Sequence, residues 1–506
     1  MRLHAIALGA LVASCAPPVV GSAEIALRPD DVRAIAPRFA EGDVVERFDS
    51  PGGAFAIHFT RAGAHVVPLA DLDADGVPDF VQEVATAYDE ALAYYVSLGL
   101  RAPLGDEGVP DGDGGDGRFD VYLVDFAGGS TGAFRHDTCN GATCIGHVVQ
   151  ENDFAGYGFA SRRSAIRILA SHELFHAVQA AYDAEQSAVF GEGSAVWASE
   201  AFDPALEDLE AFSDSYLGAT DRSIEQSATG PVDPFTYGAG VFFEFLAERY
   251  GPELVAGVVR DVEDGAHGVG DPRWLDVLSS ALERDHATTF EAAWLEHARW
   301  NLRTGRRADP EASYERGAML AELAIEALPV PYADTRVRML RGSSRSYRVM
   351  LAARVGVELL EPAGREGATE GLFVLVTPEI DGALGETRSA AASDGPQWID
   401  ASEGESAIVT IVRALDQDDG AGRAPALCIG SEVALADCRA AMTATDGGTS
   451  SDDAGVAGDA AIAPPMPGSG CDCAVGRGGA SRGSLLALAL VLALLRRRRG
   501  GARPRS

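Results

Sequence analysis

Residues 172 to 176 carry the strongest chemical signal in the sequence, because they read His-Glu-Leu-Phe-His. They lie within residues 164 to 181, a stretch without proline or glycine that is rich in helix-forming residues, so a helix is predicted there. Residues four apart share one helix face, so the imidazoles of His172 and His176 can reach one metal ion. Glu173 then lies beside the metal, where its carboxylate can take a proton from bound water.

A catalytic zinc ion needs a third protein ligand and an open position for water. Glu192 is the best candidate, because it follows a predicted helix break at Gly191 and begins a second helical run. Glu200, at the end of that run, is the alternative ligand, although a position behind the ligands suits it better. Asp183 lies about 10 Å beyond His176 along the helix axis, which is too far to bind the same ion.

The run HELFHAVQAAYD, followed by FGEGSAVW, resembles the gluzincin class of zinc peptidases. It is also similar to a group of exported bacterial metalloproteases that share a DGVPD segment, a DVYLVD strand, the HELFHAVQ helix and a Glu-Gly helix. The similarity covers about residues 55 to 301. It implies that His172, His176 and Glu192 bind zinc and that Glu173 is the general base. The gap before Glu192 is shorter than in the best-known gluzincins, which leaves Glu200 open as the third ligand.

The same resemblance implies how a substrate is held. In this class an extended peptide pairs with an edge strand beside the metal, and a strand predicted at residues 145 to 150 is the candidate. Tyr237 is the candidate donor to the oxyanion, with a purely structural tyrosine as the alternative. Gln179 and Tyr182 stand where the metzincin pattern requires glycine and histidine, so that class is excluded.

A second metal site is predicted in an aspartate-rich loop before the first helix. Four aspartates occupy positions 1, 3, 5 and 9 of this loop: Asp71, Asp73, Asp75 and Asp79. With Gly76 at position 6, the spacing follows the EF-hand and favours a calcium site over a simple polar turn. The departure is at position 12, where Gln82 replaces the usual glutamate and Glu83 follows one residue later.

The other possible metal ligands lack ligand spacing. Four histidines are expected at surface or core positions: His58, His65, His136 and His147. Cys139 and Cys144 lie close in sequence, as do Cys428 and Cys438, and neither pair has CxxC spacing. Two disulfides in an oxidising compartment are therefore favoured over zinc ligation.

The N-terminus carries an export signal. Residues 1 to 23 combine basic residues, an apolar run and small residues, which predicts a signal peptide. The sequence around Cys15 resembles a lipoprotein box, which would leave a lipid on that cysteine. Residues 21 to 23 suit ordinary signal peptidase, so both cleavage sites stay open.

Residues 471 to 506 resemble the MYXO-CTERM sorting tail of exported bacterial proteins. Cys471 and Cys473 precede a small-residue spacer, an apolar run at 485 to 495 and an arginine cluster at 496 to 499. The apolar run is short for a permanent membrane span. The resemblance implies that a sorting peptidase removes the tail and that the protein reaches the cell surface or the medium.

Hydrophobic periodicity predicts an α+β fold, with a mixed part rich in helices followed by a small all-β, sandwich-like domain. The gluzincin resemblance implies that the first part is a zincin-like catalytic domain. The predicted divisions are an N-terminal β segment at 24–70, the metallopeptidase domain at 71–328, the β domain at 329–442 and a disordered stalk at 443–470. The predicted elements are a strand pair within 54–67 turning at 62–63, a helix at 80–98, a strand at 118–126, helices over 191–301, and β runs at 347–351, 372–376 and 407–412.

Charge narrows the function. The chain has 506 residues and a formal net charge of −35, which argues against a nucleic-acid partner because its phosphates would be repelled. The expected protein is a zinc-dependent endopeptidase acting on a protein or peptide, secreted or on the outer-membrane surface of a Gram-negative bacterium. Membrane contact is expected only through the sorting tail or a lipid on Cys15. The alternative is a non-catalytic, calcium-stabilised, zinc-binding surface or adhesion protein.

Overall fold

The computed structural model describes residues 28 to 443, except 32, 35, 108–113, 231, 269–270, 272 and 415–421. The predicted signal peptide, its Cys15 and the sorting tail lie outside these residues, as does the predicted stalk beyond residue 443. Within the described part of the chain, no helix is both long enough and apolar enough to cross a membrane.

A five-stranded sheet opens the fold. Its strands are β1 (Val45–Asp49), β2 (Phe55–Thr60), β3 (Phe119–Val124), β4 (Gly132–Asn140) and β5 (Thr143–Glu151). The spatial order is β1-β2-β3-β5-β4, with β2, β3 and β5 parallel and the two outer strands antiparallel to their neighbours. In β3, Phe119, Val121 and Leu123 face the helical core, while Tyr122 and Val124 face a smaller cluster around Phe39. Both faces are therefore covered, and all six residues of β3 are buried.

Two 19-residue helices, α1 (Asp79–Ser97) and α2 (Arg162–Ala180), pack on the apolar face of this sheet. The predicted helix at 80–98 and the helix carrying the HELFH motif are confirmed. Ser161 caps α2, since its hydroxyl accepts a hydrogen bond from the Ser164 N–H at 3.0 Å. The helices that follow are α3 (Ala188–Phe202), α4 (Asp208–Leu217), α5 (Pro234–Gly238), α6 (Gly240–Tyr250), α7 (Pro252–Asp261), α8 (Trp274–His286) and α9 (Phe290–Asn301).

Two local predictions were wrong. Gly191 does not break a helix, because α3 is capped by Ser187, begins at Ala188 and continues through Gly191. The strand pair expected within 54–67 is instead β1 with β2, joined through a tight turn in which Gly53 has a φ of 77°. Residue Val66 only makes an isolated bridge to Thr60. Both predictions relied on one glycine, expected to break a helix in the first case and to form the turn in the second. Whether a glycine does either depends on the residues around it.

The C-terminal part is rich in β-strands. These are β6 (Glu326–Leu328), β7 (Tyr332–Asp334), β8 (Ser343–Met350), β9 (Val355–Leu360), β10 (Leu372–Ile380), β11 (Ala383–Leu384), β12 (Arg388–Ala391), β13 (Gln397–Ile399), β14 (Ser406–Arg413) and β15 (Ala426–Gly430). One sheet has the order β11-β10-β14-β8-β6, with β12 also paired to β10, and the other has the order β13-β9-β15-β7. Val349, Val409 and Val357 belong to one hydrophobic cluster that includes residues of both sheets.

This segment differs from the expected all-β domain in two respects. It ends in a helix, α10 (Glu432–Thr443), which the β-type periodicity did not predict. The other face of the larger sheet contributes Leu375, Ile408 and Val412 to the core of the helical part. Both predicted disulfides are confirmed: Cys139–Cys144 joins β4 to β5, and Cys428–Cys438 joins β15 to α10.

A buried ion cluster holds the start of the described chain against the sheet. Arg28 is 2% exposed and its guanidinium contacts three carboxylates, those of Asp106, Asp120 and Asp137. Two core histidines complete the cluster: His58 Nε2 lies 2.6 Å from Asp120 Oδ1, and His147 Nδ1 lies 2.8 Å from Asp137 Oδ1. Because the Arg28 guanidinium contacts all three carboxylates, loss of Arg28 would leave more unpaired charge than loss of any other group in the cluster.

We expect Arg28→Met to lower the free energy of unfolding by about 3–5 kcal/mol, since buried carboxylates would lose their cation. Urea denaturation at pH 7 measures this loss. Arg33→Met is the matched control: Arg33 is exposed and pairs with Asp31, so its midpoint should not move. Equal midpoints for the two variants would contradict a stabilising role for the cluster.

Candidate metal centre

Three side chains from two helices converge at one point. His172 and His176 come from α2, and Glu192 comes from the first turns of α3. The two Nε2 atoms are 3.1 Å apart, and Glu192 Oε2 lies 3.2 Å from His172 Nε2 and 3.4 Å from His176 Nε2. All three residues are buried. The structure thus brings together the three residues that the sequence nominated as ligands.

The spacing of these atoms fits a zinc ion. Ligands about 2.0–2.1 Å from zinc at tetrahedral angles lie roughly 3.3 Å from one another. The observed separations of 3.1, 3.2 and 3.4 Å match that triangle. Two imidazole nitrogens and one carboxylate oxygen are also the donors that catalytic zinc sites use, with a fourth position left for water or substrate.

The electrostatics of the triangle favour a bound cation. Burial alone would raise the pKa of Glu192, but attraction to His176 and hydrogen bonds with both imidazoles hold it well below its usual range. Burial alone would lower the pKa of His176, but Glu192 and its other partners raise it to about 9. The site therefore keeps an ionised carboxylate between two imidazoles, and a divalent cation can take the place of the protons.

Glu173 lies next to the metal triangle and is 1% exposed. Its Oε2 accepts a hydrogen bond from the backbone N–H of Phe134 in β4 at 2.8 Å. Burial raises the pKa of this carboxyl. The contact holds the Glu173 carboxylate between α2 and the sheet, where a general base would have to act on a metal-bound water.

The edge strand next to the metal triangle is β4, and this corrects the expectation for residues 145 to 150. Those residues form most of β5, which lies between β3 and β4 and has no free edge for a substrate. The apolar residues of β5 gave the stronger strand signal because interior strands are buried on both faces. The edge strand β4 contains Arg135, Asp137 and Thr138. These polar residues weaken the apolar pattern from which a strand is predicted.

His136 is a residue near the site that the sequence did not nominate. It lies two positions after Phe134 in β4, so both side chains face the same side, and their rings meet edge to face at 5.2 Å. Burial, followed by repulsion from His176, lowers the pKa of His136 to about 4. A neutral imidazole therefore faces the metal side of the edge strand. The position of His136 beside the site follows from the order of the strands in the sheet, which the sequence does not show.

Tyr237 stacks on a metal-ligand candidate. Its ring lies 5.7 Å from the His172 ring with an interplanar angle of 9°, and Phe212 packs against it at 5.0 Å. It belongs to the short helix α5, which Asp233 caps. The structure therefore brings Tyr237 beside the site, in a position that also serves packing.

Glu200 lies away from the metal triangle. It lies eight positions after Glu192 on the same helix, which is about 12 Å along the axis. Its carboxylate pairs with Arg316, near Glu210, at the other end of α3. Of the two glutamates left open by the sequence, Glu192 is the one whose oxygen meets both imidazoles.

The aspartate loop gathers three of its four predicted ligands. Oxygens of Asp71, Asp73 and Asp75 lie within 4.8 Å of one another. Asp79 is the first residue of α1, and its Oδ1 accepts a hydrogen bond from the Leu72 N–H. Gln82 donates to Asp75 at 2.8 Å, while Glu83 pairs with Arg162.

Comparison with known proteins gives no assignment. No protein-family model matches the sequence, and no curated protein matches it. Legionella pneumophila aminopeptidase A is 15% identical with a TM-score of 0.32, over 74% of this chain and 38% of that one. A pre-peptidase C-terminal domain of a Bacillus anthracis collagenase is 10% identical, with a TM-score of 0.14 over 21% of this chain and 94% of that one. The CUB1-EGF-CUB2 domains of rat MASP-1 are 11% identical, also with a TM-score of 0.14, over 21% and 42%. TM-scores this low do not establish a shared fold, so function has to be inferred from this chain's own side chains.

We expect Glu192→Ala to weaken zinc binding by more than about 100-fold, beyond the loss usual for groups that only support a ligand. Glu200→Ala, the matched control on the same helix, should leave zinc affinity unchanged. Competition with a chromophoric chelator measures both affinities. Zinc retained in the first variant and lost in the second would reverse the assignment.

Glu244, a half-buried acid near Glu200, predicts a pH effect on stability. Burial and the neighbouring Glu248 raise the pKa of Glu244 to about 8. Above the ordinary glutamate pKa of 4.5, the native state keeps a proton on Glu244 that the unfolded chain releases. The stability of the fold therefore falls as the pH rises from about 4.5 towards 8. We expect Glu244→Gln to reduce this fall, measured as the difference in melting temperature between pH 5 and pH 8. An unchanged difference would contradict the raised pKa.

Proposed function

We propose that this chain is an exported zinc-dependent endopeptidase. The observation that carries the proposal is the triangle of His172, His176 and Glu192, with edges of 3.1 to 3.4 Å and a buried glutamate beside it. These residues combine a metal site with a candidate general base. A purely structural zinc site does not need a general base.

Zinc at this site would lower the pKa of a bound water towards ~7 and polarise the scissile carbonyl. Glu173 accepts the proton of the attacking water and then delivers it to the leaving amine. The Phe134 N–H keeps one carboxylate oxygen fixed during both transfers. Tyr237, stacked on His172, is the proposed donor to the oxyanion that develops on the carbonyl.

The proposed substrate is a protein or peptide in extended conformation. The edge strand β4 offers backbone hydrogen bonds along one side, and Glu173 meets the same strand at Phe134. A peptide that pairs with β4 therefore runs past the general base. The net charge of −35 argues against nucleic acid as a partner.

The loop before α1 is proposed to bind Ca²⁺. Asp71, Asp73 and Asp75 supply converging oxygens, and Asp79 has the spacing of a further ligand. The Gln82 contact to Asp75 joins the loop to α1, so a bound ion would stabilise the start of that helix.

The proposed location is outside the cell, as a secreted or outer-membrane surface protein of a Gram-negative bacterium. Support comes from the signal-like residues 1 to 23, the tail at 471 to 506 that resembles a sorting-peptidase substrate, and two disulfides. A lipid on Cys15 would be the other membrane attachment.

We expect Glu173→Gln to lower casein cleavage by about 10²- to 10⁴-fold, because the amide cannot accept the proton of the attacking water. Zinc content, measured by mass spectrometry, should stay at the wild-type level. Glu83→Gln is the matched control, since Glu83 is a surface glutamate paired with Arg162. Activity that survives Glu173→Gln would rule out this mechanism. Zinc binding without cleavage by the wild-type protein would favour the non-catalytic surface protein.

A further inference from the structure

Gln179 is a buried amide that touches one metal-ligand candidate and the helix that carries another. It lies three residues after His176 on α2, and its Oε1 is 2.8 Å from His176 Nδ1. Its Nε2 lies 3.1 Å from the Gly191 carbonyl oxygen and 2.8 Å from Ser194 Oγ. Both of these partners belong to the turns of α3 around Glu192.

The direction of each hydrogen bond in this chain of contacts is determined by backbone carbonyls. The Gly191 carbonyl can only accept, so the amide nitrogen of Gln179 must face it. Ser194 Oγ donates to the Phe190 carbonyl at 2.6 Å and therefore accepts from Gln179. The amide oxygen of Gln179 is left for His176, and it can only accept. His176 must then carry a hydrogen on Nδ1.

The position of the hydrogen on His176 determines which ring nitrogen can bind the metal. An imidazole that donates from Nδ1 presents the lone pair of Nε2, and Nε2 of His176 is the atom in the triangle with His172 and Glu192. The same amide connects α2 to the turn of α3 that holds Glu192. One side chain thus constrains both the tautomer of a ligand and the distance between the two ligand helices.

We propose that Gln179 is a positioning residue for the metal: it holds His176 as the Nδ1–H tautomer and ties α2 to the turn of α3 that presents Glu192. This role rests on the proposed zinc site. Groups that support a metal-bound histidine in this way contribute about 10- to 100-fold to metal affinity. A neutral amide does so without adding a negative charge to a site that already contains Glu173 and Glu192.

Three variants of the full chain separate this role from packing. Gln179→Leu removes the acceptor and both donors at similar volume. Ser194→Ala removes one partner of the amide but leaves the Gly191 carbonyl, which still sets its direction. Gln186→Leu is the matched control, because Gln186 also joins neighbouring segments by its amide, through Trp274 N–H and Asp183, without touching the metal triangle.

Zinc affinity is the first measurement. We expect Gln179→Leu to bind zinc about 10- to 100-fold more weakly than the wild type, and the other two variants to differ by less than about threefold. The absorption spectrum of the Co²⁺-loaded protein should change in Gln179→Leu only. Equal affinity and an equal Co²⁺ spectrum in Gln179→Leu would overturn the role of Gln179 and leave the zinc site standing.

The tautomer is the second measurement. In the zinc-loaded protein labelled with ¹⁵N-histidine, His176 should show a slowly exchanging Nδ1–H signal that survives in Ser194→Ala and Gln186→Leu and is lost in Gln179→Leu. If Gln179→Leu does not fold, Ser194→Ala decides, since loss of the signal there would overturn the direction assigned to the amide. Absence of zinc binding in the wild type would instead refute the proposed function, and the positioning role with it.

Discussion

The register between α2 and α3 is the constraint on which the rest of the site depends. Two ligand candidates come from one helix and the third from the other, so no ion can be held unless the helices stay aligned. A slip of one residue moves a side chain about 1.5 Å along the axis and turns it by about 100°, whereas metal–ligand distances tolerate only about 0.2 Å. Two hydrogen bonds between the helices fix this alignment. Ser171 Oγ lies 3.0 Å from Ser199 Oγ, and Gln179 Nε2 lies 2.8 Å from Ser194 Oγ.

The second constraint is the close approach of α2 to the sheet. A Cβ atom at Gly132 would lie 2.8 Å from the side chain of Leu169 on α2, and one at Gly146 would lie 2.1 Å from the Arg135 carbonyl oxygen. Small residues therefore allow β4 to lie against both α2 and β5. This packing is what brings the Phe134 N–H within 2.8 Å of the Glu173 carboxylate. The sheet thus positions Glu173, the proposed general base, and the helix pair positions the three candidate metal ligands.

Features that depend on local spacing could be predicted from the sequence, and features that depend on strand order could not. The helix with His172 and His176 and both disulfides follow from neighbouring residues. Glu192 was nominated correctly as a residue near the histidines, although the helix carrying it begins at Ala188 rather than after Gly191. The edge strand, with His136 on its metal side, was missed because a polar edge strand has a weak pattern and its place is set by pairing with distant residues. The Arg28 cluster was missed for the same reason, since its carboxylates come from three separate segments.

The C-terminal β segment acts on the site through the helices it supports. Ser344 in β8 exchanges hydrogen bonds with Thr220, which follows α4, at 2.7 and 3.1 Å. Helix α4 carries Phe212, which packs on Tyr237, and Tyr237 in turn stacks on His172. Because Leu375, Ile408 and Val412 lie in the helical core, and β14 packs against α9, removing this segment would expose apolar surface of that core. The β segment therefore supports the helices that carry Phe212 and Tyr237, the aromatic residues that pack next to the metal-ligand candidate His172.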